Sequence, residues 1–208
     1  MASDSPSYRY EKQLIADGVM PVCGIDEAGR GPLAGPVVAA AVIFTAARRP
    51  RGIRDSKMLA PEAREELYHE IAARAVVGVG IADVTRIDRD NILRASLWAM
   101  SEAVRGLTTA PAFALVDGNM LPEIACRGRA IVSGDALCVS IAAASIIAKV
   151  TRDRMMVALA AEYPAYGFER HKGYSTEDHL ARLKEFGPSP HHRRSFAPVA
   201  QQESVNHI

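Results

Sequence analysis

Two apolar runs, Val22 to Ala28 and Gly35 to Phe44, are separated only by the turn Gly29-Arg30-Gly31-Pro32. This arrangement limits the fold more than any other feature of the chain. Each run is about a strand long, and so short a connection returns the chain in a hairpin-like, antiparallel manner. Inside the first run, directly after Val-Cys-Gly-Ile, stand two adjacent carboxylates, Asp26 and Glu27. Neighbouring residues on a strand face opposite sides. One of the two is therefore directed at a buried side unless the strand bends. A carboxylate there is costly unless positive charge compensates it, and a divalent cation does so compactly. The plainer reading is an edge strand with both acids in water.

The rest of the chain extends this pattern. A helix is expected from Pro61, a residue suited to the first helical position, with Leu67, Ile71 and Ala75 at four-residue spacing. Ala60 is a weak cap for it. Ala75 to Val84 reads as a third strand. Thr85 followed by Asp88 resembles a capping box, opening a helix with the stripe Leu93, Leu97, Met100, Val104 and Leu107 that stops near Gly106. Ala112 to Asp117 is a short buried strand and Ala130 to Val132 a fifth, shorter one. Ile141 to about Glu162 is a long Ala-rich helix. After Pro164 the chain is punctuated by Gly, Pro and His, with a short helix near Glu177 to Phe186. Three strands followed by alternating helix and strand give a mixed α/β sheet. The 208 residues suit one domain, with 164–199 as a C-terminal helical extension and 1–12 and 200–208 as poorly ordered ends.

Composition removes several classes. The chain is 49% hydrophobic and 24% charged, ordinary for a soluble globular protein. No apolar run approaches the ~20 residues that span a bilayer. Met1 to Tyr10 is polar and offers no secretory signal. Cys23, Cys126 and Cys138 are an odd, scattered set without disulfide or zinc spacing, which suits the cytoplasm. A net charge of +1 neither demands nor excludes nucleic acid.

Two further acids join the first pair. Asp117 ends the apolar run Ala-Phe-Ala-Leu-Val and precedes Gly118-Asn119; strand ends beside a Gly turn are where α/β proteins place active sites, although a plain Asp-Gly turn looks the same. Asp135 follows Ser133-Gly134 shortly before the long helix, where a loop or cap acid is the alternative. Four acids without His or Cys at ligand spacing would make an all-oxygen site. Such a site prefers Mg²⁺ or Mn²⁺ over Zn²⁺ and serves phosphoryl transfer. There two ions roughly 3.5–4 Å apart hold an attacking water and a leaving oxygen in line. Asp26 is the candidate to bridge them.

The stretch Gly24-Ile25-Asp26-Glu27-Ala28-Gly29-Arg30-Gly31-Pro32-Leu33-Ala34-Gly35-Pro36-Val37 resembles the opening motif of bacterial ribonuclease HII. Later blocks of that family are matched in order by Asp55-Ser56-Lys57, Val116 to Asn119, Ala142 to Asp153, His171 to Tyr174 and His191 to Phe196. The likeness runs from about Tyr8 to Val199. It implies a ribonuclease H-like fold, a mixed five-stranded sheet flanked by helices with a helical C-terminal part. It also implies an endonuclease that cuts the RNA of RNA/DNA hybrids and incises 5′ of ribonucleotides in duplex DNA. The implied catalytic and metal-holding acids are Asp26, Glu27, Asp117 and Asp135, with two Mn²⁺ or Mg²⁺ ions. Asp153 is a possible fifth acid, or a helix-surface acid paired with Arg152 or Arg154. Gly29, Arg30 and Gly31 fall on the family's turn that reads the ribose 2′-hydroxyl, and Tyr174 on the tyrosine that senses the RNA–DNA junction.

Among the cations, Lys57, Lys149, Lys172 and Arg193 are read as phosphate contacts that hold a duplex without reading bases. Arg152 is read as a solvated charge. Ser145 either donates to a phosphate or packs small against a strand. His171, His191 and His192 fit no metal spacing and are structural or phosphate-facing. Trp98 belongs to core or rim. The expected partners are hybrid and ribonucleotide-containing duplex DNA, bound by a monomer, with no membrane. The tail Gln201 to Ile208 shows no convincing clamp-docking motif. Alternatives are a ribonuclease HIII-like enzyme, disfavoured because Asp26 lies so near the chain start, and a non-catalytic hybrid-binding module, disfavoured because all four acids are present.

Overall fold

The computed structural model describes residues 5–44, 50–54, 56 and 59–205, the last three by backbone alone. Its sheet is built from β1 (Val22–Ala28), β2 (Val37–Phe44), β3 (Ala75–Ala82), β4 (Phe113–Asp117) and β5 (Arg127–Ile131), in the order β3-β2-β1-β4-β5. The β1–β2 and β2–β3 pairs are antiparallel, and the β1–β4 and β4–β5 pairs parallel. The mixed sheet expected from the sequence is thus present. The helices are α1 (Arg9–Ala16), α2 (Pro61–Arg74), α3 (Val84–Asp90), α4 (Ile92–Arg105), α5 (Gly134–Leu137), α6 (Val139–Glu162), α7 (Phe168–His171), α8 (Glu177–Phe186) and α9 (Ala197–Val205). Part of α1 lies within the expected lead-in, and α9 runs on into the stretch from 200 that was expected to lack order.

β2 is buried along its whole length, and its period-two alternation feeds two cores. Ala40, Val42 and Phe44 pack with residues of α2 and α6, and Ala39, Ala41 and Ile43 with residues of α4. α6 crosses β1 at backbone distance. A Cβ on Gly24 would sit 2.1 Å from the Ser140 backbone, and the buried alanines 142, 143, 144 and 148 permit that approach along the helix. The helix has no side-chain cap of its own. Glu11 of α1 takes the place of one, its Oε1 accepting from the Ser140 amide at 2.8 Å and the Cys138 thiol at 3.1 Å. A carboxylate there meets both the orphan amides and the positive end of the helix dipole.

Four expectations are corrected. Thr85 does not cap: Asp83 accepts from the Arg86 amide at 2.8 Å, while Asp88 receives the amides of Arg194 and Ser195. The single helix expected there is two, broken at Asn91 (φ 72°), whose side chain caps α4 through the amides of Leu93 and Arg94. The most buried face of α4 is Ala95, Ala99, Met100 and Ala103, with Leu97, Val104 and Leu107 of the expected stripe packed half-buried beside it and Leu93 exposed. The cause lies in β3, where Cβ atoms on Gly78 and Gly80 would meet the carbonyls of Ala103 and Ala99 at 2.1 and 2.0 Å. Only small residues fit so close a contact. The turn after β1 is also longer than expected, since residues 29–36 separate the two strands.

Candidate active site

β1 and β4 lie side by side and parallel, with Ile25 opposite Val116. The next residues, Asp26 and Asp117, therefore emerge as neighbours at the carboxyl ends of two adjacent strands, about 4.8 Å apart by sheet spacing. Asp26 is on the α6 face of β1 and 4% exposed, whereas Glu27 is half-buried. The alternation predicted for the pair holds. Asp135 is buried in α5, and that short helix is tied to β4 by the Gly134 amide donating to Asp117 Oδ1 at 2.7 Å. The fold thus gathers the four predicted acids at one end of the sheet.

Their electrostatics follow from this crowding. Burial pushes the Asp26 carboxyl well above its ordinary range, and the charges of Glu27 and Asp117 push it further. Glu27 is raised by burial and by Asp117, against the lowering effect of Arg30. Asp117 is raised by burial and by Asp135, against the Gly134 amide. Each acid leans on a local donor. Asp26 Oδ1 accepts from the Glu27 amide at 2.7 Å, Glu27 Oε1 from Arg30 at 3.3 Å and Asp135 Oδ1 from the Ala136 amide at 3.0 Å. Glu27 Oε2 is buried with no hydrogen-bond partner among the described residues. No three acidic, histidine or cysteine side chains among the described residues are drawn together as a finished metal cage. Like charges turned to separate local donors account for that spread. The donor set is nonetheless all oxygen, with one buried oxygen unsatisfied, which fits a hard divalent cation.

Ser145 faces this site rather than an outer surface. It is 5% exposed, shares a 2.9 Å hydrogen bond with Ser56 and bonds to the Asp26 carboxylate, favouring its charged form. Gly29 is buried at φ +97°, and a Cβ there would lie 2.1 Å from Arg152 Nε. Arg30 and Gly31 are exposed. The nearest atom to a Cβ on Gly31 would be Tyr174 Cε1, at 3.9 Å, so the turn and the 44% exposed Tyr174 border one gap.

The cations depart most from expectation. Arg193 is fully buried, with all three guanidinium nitrogens donating to backbone carbonyls of residues 29–36. It is not a phosphate contact. Burial, and then the nearby Arg152 charge, bring its pKa down to about 9. Arg152, read as solvated, is 1% exposed and bonds the carbonyls of Ala34 and Pro36. Lys149 pairs with Asp153 at 2.6 Å, and Asp153 also lies 3.9 Å from Arg64. Asp153 is therefore an ion-paired helix acid, with partners other than Arg152 or Arg154. Lys172 is half-buried and its Nζ bonds the Glu169 carbonyl. Lys57 lies outside the described residues. His171 and His192 are buried, together with His179, which the sequence gave no reason to single out. His191 packs edge-on to Tyr163, 5.1 Å between centroids. Trp98 is half-buried beneath the Arg86 guanidinium.

Comparison with known proteins accords with this geometry. The family model "Ribonuclease HII" matches residues 23–199. The ribonuclease HII of Xanthobacter autotrophicus is 60% identical, over 94% of this chain and 79% of that protein. That of a Bradyrhizobium species is 58% identical, over 93% and 70%. The solved structure of ribonuclease H2 from Pyrococcus horikoshii superposes with a TM-score of 0.76 at 27% identity, covering 89% of this chain and 98% of that one. A ribonuclease HIII solved with Mn²⁺ shares the fold at TM-score 0.71 but only 19% identity, over 88% and 69%. A family match spanning most of the chain, and identity near 60% to several of its members, show that the chain belongs to the ribonuclease HII family of type 2 ribonucleases H, which are endoribonucleases.

Proposed function

We propose that the protein hydrolyses the RNA strand of RNA/DNA hybrids and incises 5′ of ribonucleotides embedded in duplex DNA, leaving 3′-hydroxyl and 5′-phosphate ends. The observation that supports this best is the carboxylate set of buried Asp26 and Asp135 with half-buried Glu27 and Asp117, whose charges oppose one another while Glu27 Oε2 lacks a partner among the described residues. These four residues would hold the divalent ions, Mg²⁺ or Mn²⁺, with Asp26 as the central ligand of the set. When bound, such ions lower the pKa of a water and stabilise charge on a leaving oxygen. The chain's own part is placement. Arg30 pairs with Glu27, and Ser145 favours the ionised form of Asp26 against the effect of burial. The turn Gly29-Arg30-Gly31, exposed at its last two residues, brings main chain to the ribose, where a 2′-hydroxyl distinguishes RNA from DNA. Tyr174, across the gap from Gly31, stacks on the neighbouring sugar. Lys149 and Lys172 would serve as phosphate contacts on exchanging their present partners, the Asp153 carboxylate and the Glu169 carbonyl.

The test is cleavage of a labelled duplex carrying one ribonucleotide, with Mg²⁺ and Mn²⁺ supplied separately. Ion-dependent incision with a 5′-phosphate on the downstream fragment is expected. A 2′,3′-cyclic phosphate would instead make the 2′-hydroxyl the nucleophile and overturn the reading.

A further inference from the structure

Arg152 and Arg193 are buried cations with no part in the proposed chemistry, yet both spend their donors on residues 29–36. Arg193 Nε and Nη2 donate to the Gly35 carbonyl at 3.0 and 2.9 Å, and Nη2 also to Gly29 at 2.6 Å and Pro36 at 3.3 Å. Its Nη1 donates to Arg30 at 2.9 Å. Arg152 Nε reaches Pro36 at 2.9 Å and its Nη2 reaches Ala34 at 3.1 Å. The carbonyls of Gly29, Arg30, Ala34, Gly35 and Pro36 thus all face two guanidiniums.

In a planar trans peptide the carbonyl of one residue and the N–H of the next point in opposite directions. The bonds within this turn are trans. With the Gly29 and Arg30 carbonyls drawn inward to Arg193, the amides of Arg30 and Gly31 are turned outward, on two exposed residues. No described residue accepts a hydrogen bond from either. Two successive outward amides form a small donor concavity of the kind that takes an oxygen ligand. The Arg152 guanidinium also lies 5.9 Å from the Tyr174 ring centroid, so one pair of cations supports both the turn and the ring across the gap.

We propose that Arg152 and Arg193 are positioning residues for ribose selection. They lock the turn so that the Arg30 and Gly31 amides, faced by Tyr174, form a ready-made donor pair for a single 2′-hydroxyl. The inference rests on the assignment of this turn to the ribose made above. A rigid five-donor fork suits the task, whereas a lysine offers three donors from one point and cannot span the same carbonyls.

The experiment measures binding in the Asp26→Asn background by fluorescence anisotropy. The probes are two duplexes of one sequence, all-DNA and with a single ribonucleotide. Adding Arg193→Lys is expected to shrink the affinity ratio between them about tenfold, the effect of losing roughly one hydrogen bond. Affinity for the all-DNA duplex should stay within twofold, which a general loss of structure would not allow. Arg152→Lys should shift the ratio the same way by less. A folded Arg193→Lys protein with an unchanged ratio overturns the proposal. If that variant does not fold, Arg152→Lys decides in the same way. With the Arg193 side chain intact, its Nε–H resonance should shift on binding the ribonucleotide duplex and not the all-DNA duplex; an equal response to both overturns the proposal. If the Asp26→Asn protein with both arginines intact fails to distinguish the duplexes, the assignment of the turn to the ribose fails instead.

Discussion

The carboxylates at the end of β1 and β4 and the histidines beneath the C-terminal segment are both clusters of buried titratable groups, and they meet burial in opposite ways. Asp26, Glu27 and Asp117 raise one another, and one buried oxygen has no partner among the described residues. The histidines are fully matched. The Ser189 amide donates to His192 Nδ1 at 2.9 Å, which in a neutral ring leaves Nε2 protonated to donate to His179 Nε2 at 3.0 Å. His179 Nδ1 is then the donor to the Tyr174 carbonyl at 2.8 Å. His171 accepts from the Gly173 amide at 3.1 Å and donates to the Tyr166 carbonyl at 2.8 Å. Every imidazole nitrogen of the three is used and all three rings are neutral. A cluster whose hydrogen bonds close upon themselves serves structure; one left charged and incomplete is built for something to enter.

The largest expected effect is at the open cluster. Asp26→Asn keeps the shape and the oxygen that accepts the Glu27 amide, but removes a charge at the centre of the site. Cleavage of a one-ribonucleotide duplex should fall at least about 1000-fold, since the interaction with both reacting oxygens is lost. In chelator the melting temperature should rise by about 3 °C, as relief of roughly 1 kcal/mol of repulsion gives in a chain of this size. Turnover within tenfold of the parent enzyme would remove Asp26 from the mechanism.

The closed cluster should respond in reverse. His192→Ala empties a buried site and breaks the chain of donors from Ser189 to Tyr174, so a loss of about 3 kcal/mol in stability is expected. Activity per folded molecule should fall far less than in Asp26→Asn. The two clusters also differ in the sign of their pH dependence. Burial holds His192 down to about 3, from 6.5. Between those values the unfolded chain binds a proton that the folded one refuses, so this contribution is lost as pH falls from about 6.5 toward 3. Asp26 is raised in the folded state, so the folded chain takes up its proton before the unfolded one, and this contribution favours folding increasingly as pH falls through the elevated value. Melting temperatures from pH 4 to 7 in chelator should therefore decline more steeply toward acid in Asp26→Asn and more gently in His192→Ala. Parallel curves for all three proteins would contradict this account.

What the sequence disclosed, and what it hid, divides along the same line. Carboxylates inside apolar strands violate the local pattern, and such violations mark functional sites, which is why Asp26, Glu27 and Asp117 stood out. Arg193 violates nothing visible in the sequence. Its carbonyl partners are more than 150 residues away, and a charged letter in a polar segment looks the same whether solvated or clamped. The stripe on α4 was legible in Leu97, Met100, Val104 and Leu107 but not in the small residues beside it, because the size of residue admitted there is set by Gly78 and Gly80 on another strand. The sheet and the approximate places of its strands were readable because periodicity is local, but β5 runs Arg127–Ile131 where Ala130 to Val132 was expected.

Tyr174 lies where the two regions meet, its carbonyl on the histidine chain and its ring beside Gly31. Burying a ribose hydroxyl against the ring without a partner costs roughly 1–3 kcal/mol. Tyr174→Ala should therefore lower the preference for a one-ribonucleotide duplex over a continuous hybrid by about tenfold. Its hydrogen bond to His179 comes from the main chain and survives the substitution, so the fold should hold. A folded Tyr174→Ala protein with an unchanged rate ratio would make the tyrosine a packing residue only.

The smallest effect is expected at Ser145, which touches the open cluster without carrying charge. Its hydroxyl lies between Ser56 and Asp26, and its bond to the carboxylate favours the ionised form. Ser145→Ala removes that bond and raises an already elevated Asp26 further. Forming the charged carboxylate that the reaction needs then becomes harder. Cleavage at pH 7 should drop only a few-fold, because one hydrogen bond to a charged group contributes roughly 1.5–3 kcal/mol and Ser56 and bound cations restore part of it. The acid limb of the rate–pH profile should move to higher pH, and raising either pH or divalent-ion concentration should recover the parent rate. Ser145→Thr, which keeps the hydroxyl, tests whether the bond or the small volume matters. A rate loss in Ser145→Ala that is constant from pH 6 to 9 would mean that the serine acts through packing of α6 on β1 and not through the charge of Asp26.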